Sequence, residues 1–346
     1  MTPKTITVFF LAAVLLVISG DSALFAGGAA RLIEDTRLMM GTEVRIQIPV
    51  SGAQDELSAR QAMDKAFEEI SRLEALLSVY SKESEVSRIN ARKAGEAVKV
   101  SGEVFGLIER SIDCSMKTNG AFDITVKPLV DLWGEAGKME KLPSRASIEL
   151  ALKKVGFRHL LLDKDNSTIT FEVDGMALDL GGIAKGYATG RAVAVLKANG
   201  IKAALAGSGG DIYCLGMRSE NEMWKVGIQH PRDDKKLFAA LRLKNQAIDT
   251  SGDYEKFFML GGKKYSHIID PRTGWPVDNG VVSVTVVSDD PVAADAFATA
   301  LCVSGADALT VADSLALDTL VIRQENGSLK VGMSGGFKEQ YGKAKK

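Results

Sequence analysis

The sequence predicts an α+β protein with two lobes built around shared sheets. Three observations carry this reading. Helical and strand periodicities follow one another in mixed order, without the regular β-α alternation of a doubly wound fold. A long amphipathic helix stands early in the chain. From about residue 200 onward β patterns prevail, until two helices and a strand pair close the chain. With 346 residues, 46% hydrophobic and 25% charged, the composition is that of an ordinary globular protein. The net charge of −1 excludes a dominant nucleic-acid-binding face, so no nucleic acid partner is expected.

The first thirty residues stand apart. Lys4 precedes the apolar run "ITVFFLAAVLLVIS", and the small-residue stretch "GDSALFAGGAA" follows. A charged start, a short apolar core and a small-residue zone make a secretory signal. Residues 1–30 are therefore expected to direct export to the periplasm. The alternative is an uncleaved segment that holds the protein at the inner membrane. No cysteine follows the run, so no lipid-attachment site is expected there. Cys114, Cys214 and Cys302 are far apart and odd in number, which fits buried apolar side chains better than a disulfide or zinc framework.

The next elements follow in order. "GTEVRIQIPV" alternates as a strand. "DELSARQAMDKAFEEISRLEALLSVY" carries Met63, Ala66, Ile70, Leu73 and Leu77 at helical steps. Further helices are expected near 103–117, 144–155 and 183–198, the last closed by Asn199–Gly200. Strands are expected at 158–163, 168–173 and 176–180. "KAALAG", "IYCLG", "WKVGIQ", "FAALRL", "AIDTS", "YSHIID" and "VVSVTVVS" read as strands. Helices near 291–303 and 305–316 and a strand pair around "QENGS" complete the domain, 31–338. Residues 339–346 are expected to be a short basic tail.

Five stretches could carry chemistry. In "ALDLGGIAKG" two glycines stand where a helix begins, offering free N–H groups suited to phosphate, with Lys185 adding charge and Asp179 a carboxylate. It matches neither standard nucleotide fingerprint, and a plain packing turn is the equal alternative. "GSGGD" at 207–211 could let backbone approach a ligand, or simply turn. His267, one of three histidines, lies among Tyr265, Ser266, Asp270 and Arg272, as a candidate base or a structural residue. Asp295 and Thr299 share a helix face and could clamp Mg²⁺. An unpartnered Asp in so apolar a helix would be costly, which favours a metal. Met40, Tyr80 and Phe122 could wall a flat ring or fill a core.

Seven stretches in this order, "MGTEVRI", "SVYSKESEVSRIN", "GAFDITVKPLVDLWG", "DLGGIAKGYA", "GSGGDI", "HIIDPRTG" and "ADAFATAL", resemble the FAD:protein FMN transferases, the ApbE family. The resemblance implies two α/β lobes with mixed, largely antiparallel sheets flanked by helices, and FAD in the cleft between them. It implies Mg²⁺-dependent transfer of FMN from FAD to a Thr or Ser hydroxyl of a partner, with release of AMP. The implied acceptor carries a D-x-x-[ST]-G-A-T-like sequence in a membrane-associated redox subunit. Met40, Tyr80, Ala121, Phe122, Asp123, Asp179, Lys185 and Ile269 match the family's FAD contacts. Gly182, through its carbonyl, Asp295 and Thr299 match its metal ligands, and His267 matches its candidate base. Two alternatives stay open: an FAD pyrophosphatase giving FMN and AMP, and a periplasmic flavin-binding protein without turnover. Many relatives carry a lipobox cysteine, which this chain lacks.

Overall fold

The structure is a computed structural model that describes residues 31–342, so the expected signal segment lies outside the described residues. In chain order the first half forms β1 (Arg31–Met39), β2 (Thr42–Val50), α1 (Ala53–Leu77), α2 (Glu85–Asn90), β3 (Val98–Lys99), α3 (Gly102–Lys117), α4 (Lys127–Lys138), α5 (Arg145–Leu152), β4 (Leu160–Asp163), β5 (Thr168–Phe171) and α6 (Ala184–Ala198). Then come β6 (Ala204–Ser208), β7 (Asp211–Leu215), β8 (Trp224–His230), β9 (Asp233–Leu243), β10 (Gln246–Gly252), β11 (Phe257–Leu260), β12 (Lys263–Ser266) and β13 (Val281–Ser288). The chain closes with α7 (Pro291–Ser304), α8 (Ala308–Ser314), β14 (Asp318–Glu325), β15 (Ser328–Met333) and α9 (Gly335–Tyr341).

Eight strands make one sheet in the order β1-β2-β6-β7-β10-β13-β14-β15, every neighbouring pair antiparallel. Alternation sends successive side chains to opposite faces. Ala247, Val286 and Val321 join the larger core with α1, α6 and α7, whereas Ile248, Val287, Leu320 and Ile322 pack under the β8–β9 hairpin and α9. The central strands are thus covered on both faces. A third cluster holds Leu129, Trp133, Ile148 and Ile269, with Phe258 and Tyr265 packed against it. The α+β class with largely antiparallel sheets and flanking helices is as expected.

Local chemistry explains the elements. Ala59, Ala62, Met63, Ala66, Phe67, Ile70, Leu73 and Leu77 form the buried stripe of α1. Ser84, Ser101, Ser144 and Ser334 cap α2, α3, α5 and α9, each accepting a main-chain N–H three residues on. Asn326 and Gly327, with φ of 49° and 79°, turn the β14–β15 hairpin in the way such two-residue loops require. The three cysteines are free and buried.

Several expectations need correction. Residues 176–180 are extended but join no ladder. Asn90 takes both main-chain groups of Leu178, and the Asp179 amide donates to the Ile124 carbonyl, so those groups are satisfied outside any sheet. The segment "YSHIID" leaves its strand at Ser266. The basic tail begins inside α9, because Phe337 is buried beneath the sheet. The long first helix stops at Leu77, where Ser78 is already extended, and Tyr80 lies beyond it.

Candidate active site

The site forms where α6 and α7 meet the start of β7 and the middle of β10. α6 has no side-chain N-cap of its own. Asp295, from the first turns of α7, supplies one in trans: its Oδ2 accepts the Gly186 N–H at 2.8 Å. Lys185 turns inward, forms an ion pair with Asp211 and stands 3.8 Å from Asp295 Oδ1. Asp249 of β10 completes a set of three buried carboxylates whose ligand atoms all lie within 4.8 Å of one another. Asp211 Oδ1 and Asp249 Oδ2 are buried and accept no hydrogen bond.

Electrostatics follows from this crowding. Burial first, then the neighbouring charges, pushes Asp211, Asp249 and Asp295 up to about 7. Glu255, whose Oε1 is also buried without a donor, is raised to about 7 for the same reasons. Burial disfavours the charge of Lys185, but Asp211, Asp295 and Asp249 outweigh it and hold the ammonium firmly protonated. One lysine thus faces more negative charge than it can neutralise.

The glycine turn sits against this cluster. A Cβ placed at Gly182 would lie 3.2 Å from Phe122 Cε2 and 3.3 Å from Thr299 Oγ1, so those three residues converge. Thr299 Oγ1 is in turn 3.3 Å from Ser251 Oγ. Asp179 Oδ1 accepts the Gly181 amide at 2.8 Å and shapes the turn. The Asp179–Ile124 hydrogen bond ties this turn to the 121–123 segment. Gly182, Asp295 and Thr299 are therefore brought together, with Phe122, Asp179 and Lys185 beside them.

The other expected residues have mixed roles. Ala121 is buried, and Asp123 is saturated by the Thr125 amide, the Thr125 hydroxyl and the Phe157 amide, so its carboxylate works as a structural brace. Ile269 is buried in the third cluster and bridges Pro276. Met40 takes the left-handed φ of 52° in the β1–β2 turn, at the rim of the larger core. Tyr80 is 93% exposed. Part of the His267 side chain reaches solvent, while protein packs around its ring. Its Nδ1 lies 2.8 Å from the Lys256 carbonyl. Enclosure by protein is the main cause that holds its pKa below the ordinary value, and the charges of Lys256 and Lys185 add to it. Asp270 is taken up by Arg272 in a two-pronged pair.

The expectation of an unpartnered Asp295 is corrected: the Gly186 amide and Lys185 stand beside it in the chain alone. Asp249, Glu255 and Ser251 were not anticipated. An Asp in the apolar strand "QAIDTSG" is the same kind of signal as Asp295 in its helix. Asp211 closes the 207–211 glycine stretch, whose sequence alone gives its carboxylate no role.

Comparison with known proteins places the chain in a family. The ApbE family model matches residues 40–321. The FAD:protein FMN transferase of Vibrio cholerae (strain O395) is 31% identical, over 92% of this chain and 96% of that protein. That of Escherichia coli K12 is 33% identical over 86% of each. Among solved structures, the ApbE protein of Thermotoga maritima superposes with a TM-score of 0.81 at 33% identity, covering 91% of this chain and all of that one. The flavin transferase ApbE of Vibrio cholerae gives 0.78 at 30%, covering 90% and 99%. By its sequence and its fold, the chain belongs to the ApbE family.

Proposed function

We infer that the chain is an FAD:protein FMN transferase, which moves FMN from FAD to a hydroxyl of a target protein and releases AMP. The observation that carries this beyond family membership is the buried set Asp211, Asp249 and Asp295 beside Lys185 and the Gly181–Gly182 turn. An all-oxygen donor set with two orphaned carboxylate oxygens fits a hard divalent cation. We assign Mg²⁺ to Asp295, Thr299 and the Gly182 carbonyl, with Asp211 and Asp249 adding negative charge around it. When bound, Mg²⁺ neutralises pyrophosphate charge.

The chain's own residues do the rest. The Gly181–Gly182 turn lets phosphate approach the main chain closely, and Lys185 supplies a fixed positive charge. Phe122, Met40 and Tyr80 flank the flavin in the cleft between the lobes. His267 Nε2 takes the proton of the acceptor Thr or Ser hydroxyl. The hydroxyl oxygen bonds to the FMN phosphorus, and the bond from that phosphorus to the oxygen bridging to AMP breaks. AMP departs with that oxygen. Positioning and charge neutralisation do most of the work in such transfers.

The acceptor is an exported protein with a D-x-x-[ST]-G-A-T-like segment, in a membrane-associated redox subunit, and residues 1–30 take this chain to the same compartment. The test is incubation of the full chain with FAD, Mg²⁺ and a peptide bearing that segment. The expected result is a peptide heavier by one FMN less one water, with one AMP released per transfer. Free FMN with unmodified peptide would instead identify a pyrophosphatase, and no AMP at all would leave a flavin-binding protein.

A further inference from the structure

We propose that Gly186 is a positioning residue that makes Asp295 a one-oxygen ligand, and thereby sets a preference for Mg²⁺ over Ca²⁺. This rests on the Mg²⁺ reading above. Gly186 acts through Asp295, whose carboxylate takes its N–H.

Two independent features of the α6–α7 crossing support it. The first is steric. A Cβ placed at Gly186 would stand 2.7 Å from the Asp295 Cβ and would also collide with the Pro291 carbonyl oxygen. Only glycine lets the two helices approach so closely. The second is the hydrogen bond itself. The Gly186 N–H occupies Asp295 Oδ2, while Oδ1 lies 3.8 Å from the Lys185 ammonium. Asp295 sits in a helix whose residues Ala294, Ala296, Phe297 and Ala298 are all buried, so its carboxylate has little room to rotate.

The consequence is chemical. Mg²⁺ demands near-octahedral geometry, whereas Ca²⁺ accepts more oxygens and readily takes a carboxylate through both. A carboxylate with one oxygen held by a helix N-terminus offers a single, fixed donor. That suits the smaller ion and withholds the second oxygen that Ca²⁺ would use. Partners that orient a ligand in this way typically change metal affinity by ~10–100-fold when removed.

The test is calorimetric titration of the full chain with Mg²⁺ alone and with Ca²⁺ alone. Gly186→Ala is expected to lose ~10-fold or more in Mg²⁺ affinity with a smaller loss for Ca²⁺, lowering the ratio between them. Gly190→Ala, one turn on, meets the Pro291 ring at 2.9 Å but not Asp295, and is expected to keep the wild-type ratio. An unchanged ratio in Gly186→Ala overturns the proposal. Should that variant fail to fold, amide exchange in the wild-type chain decides. Gly186 is expected to stay protected with Mg²⁺ bound, and loss of protection on loading would mean that Asp295 releases it. A wild-type chain that binds no Mg²⁺ sinks the metal reading as well, whereas binding with an unaltered ratio sinks only this inference.

Discussion

The Nδ1 of His267 lies 2.8 Å from the main-chain carbonyl of Lys256. A carbonyl can only accept, so Nδ1 is the protonated nitrogen and Nε2 keeps its lone pair. The lowered pKa keeps the ring neutral near pH 7. A neutral ring with a free Nε2 lone pair is what the proposed role of His267 as base requires. His267→Ala should retain FAD binding and slow transfer to the acceptor by ~10²–10⁴-fold. Single-turnover flavinylation of the peptide measures this, and a wild-type rate would exclude His267 as the base.

Asp249→Asn should stabilise the metal-free chain. Asp249 is buried among Asp211, Asp295 and Glu255, and its Oδ2 has no donor. Each unit of displaced pKa corresponds to about 1.4 kcal/mol. A rise of a few degrees in Tm at pH 7 is expected, together with weaker Mg²⁺ binding. A lower Tm without metal would show that Asp249 is held by contacts stronger than the repulsion.

The metal-free chain should lose stability as pH rises from about 4 to 7. Asp211, Asp249, Asp295 and Glu255 titrate near 7 in the fold, above their ordinary 3.8 and 4.5. The folded state then binds more protons than the unfolded chain across that window, so stability falls with rising pH. His267 acts in the opposite sense but is one group against four. Glu69, held down to about 2, acts only below its ordinary 4.5. Thermal melts from pH 5 to 8 should show the decline without metal, and saturating Mg²⁺ should flatten it. A Tm that climbs with pH in the metal-free chain would contradict the assigned repulsion.

Asn90→Ala should loosen the segment that leads into the glycine turn. Asn90 Nδ2 donates to the Leu178 carbonyl at 2.9 Å, and its Oδ1 accepts the Leu178 amide. Alanine leaves both groups of a fully buried residue unpaired. The cost is roughly 2–3 kcal/mol, since each lost partner exposes a desolvation penalty. Chemical denaturation should register that loss, and fluorescence titration should show weaker FAD binding. Unchanged stability would mean that water takes over both groups.

Much of the chain was determined locally. Helix α1 was legible because its apolar residues recur at three and four, and β13 because Val, Ser and Thr cannot mistake a strand for anything else at that length. Asp295 and Thr299 were legible because four residues along a helix always share a face. What no window could contain is which strands become neighbours. β7 and β10 are 30 residues apart in sequence, yet their pairing brings Asp211 and Asp249 against Asp295. The 176–180 segment alternated like a strand, but Asn90 and Ile124 took its hydrogen bonds and left it free to end in the glycine turn. Gly186 looked like one more small helical residue. Only the crossing of α6 over α7 made its missing side chain and its amide matter, because close packing is a property of two surfaces and neither sequence segment carries it alone.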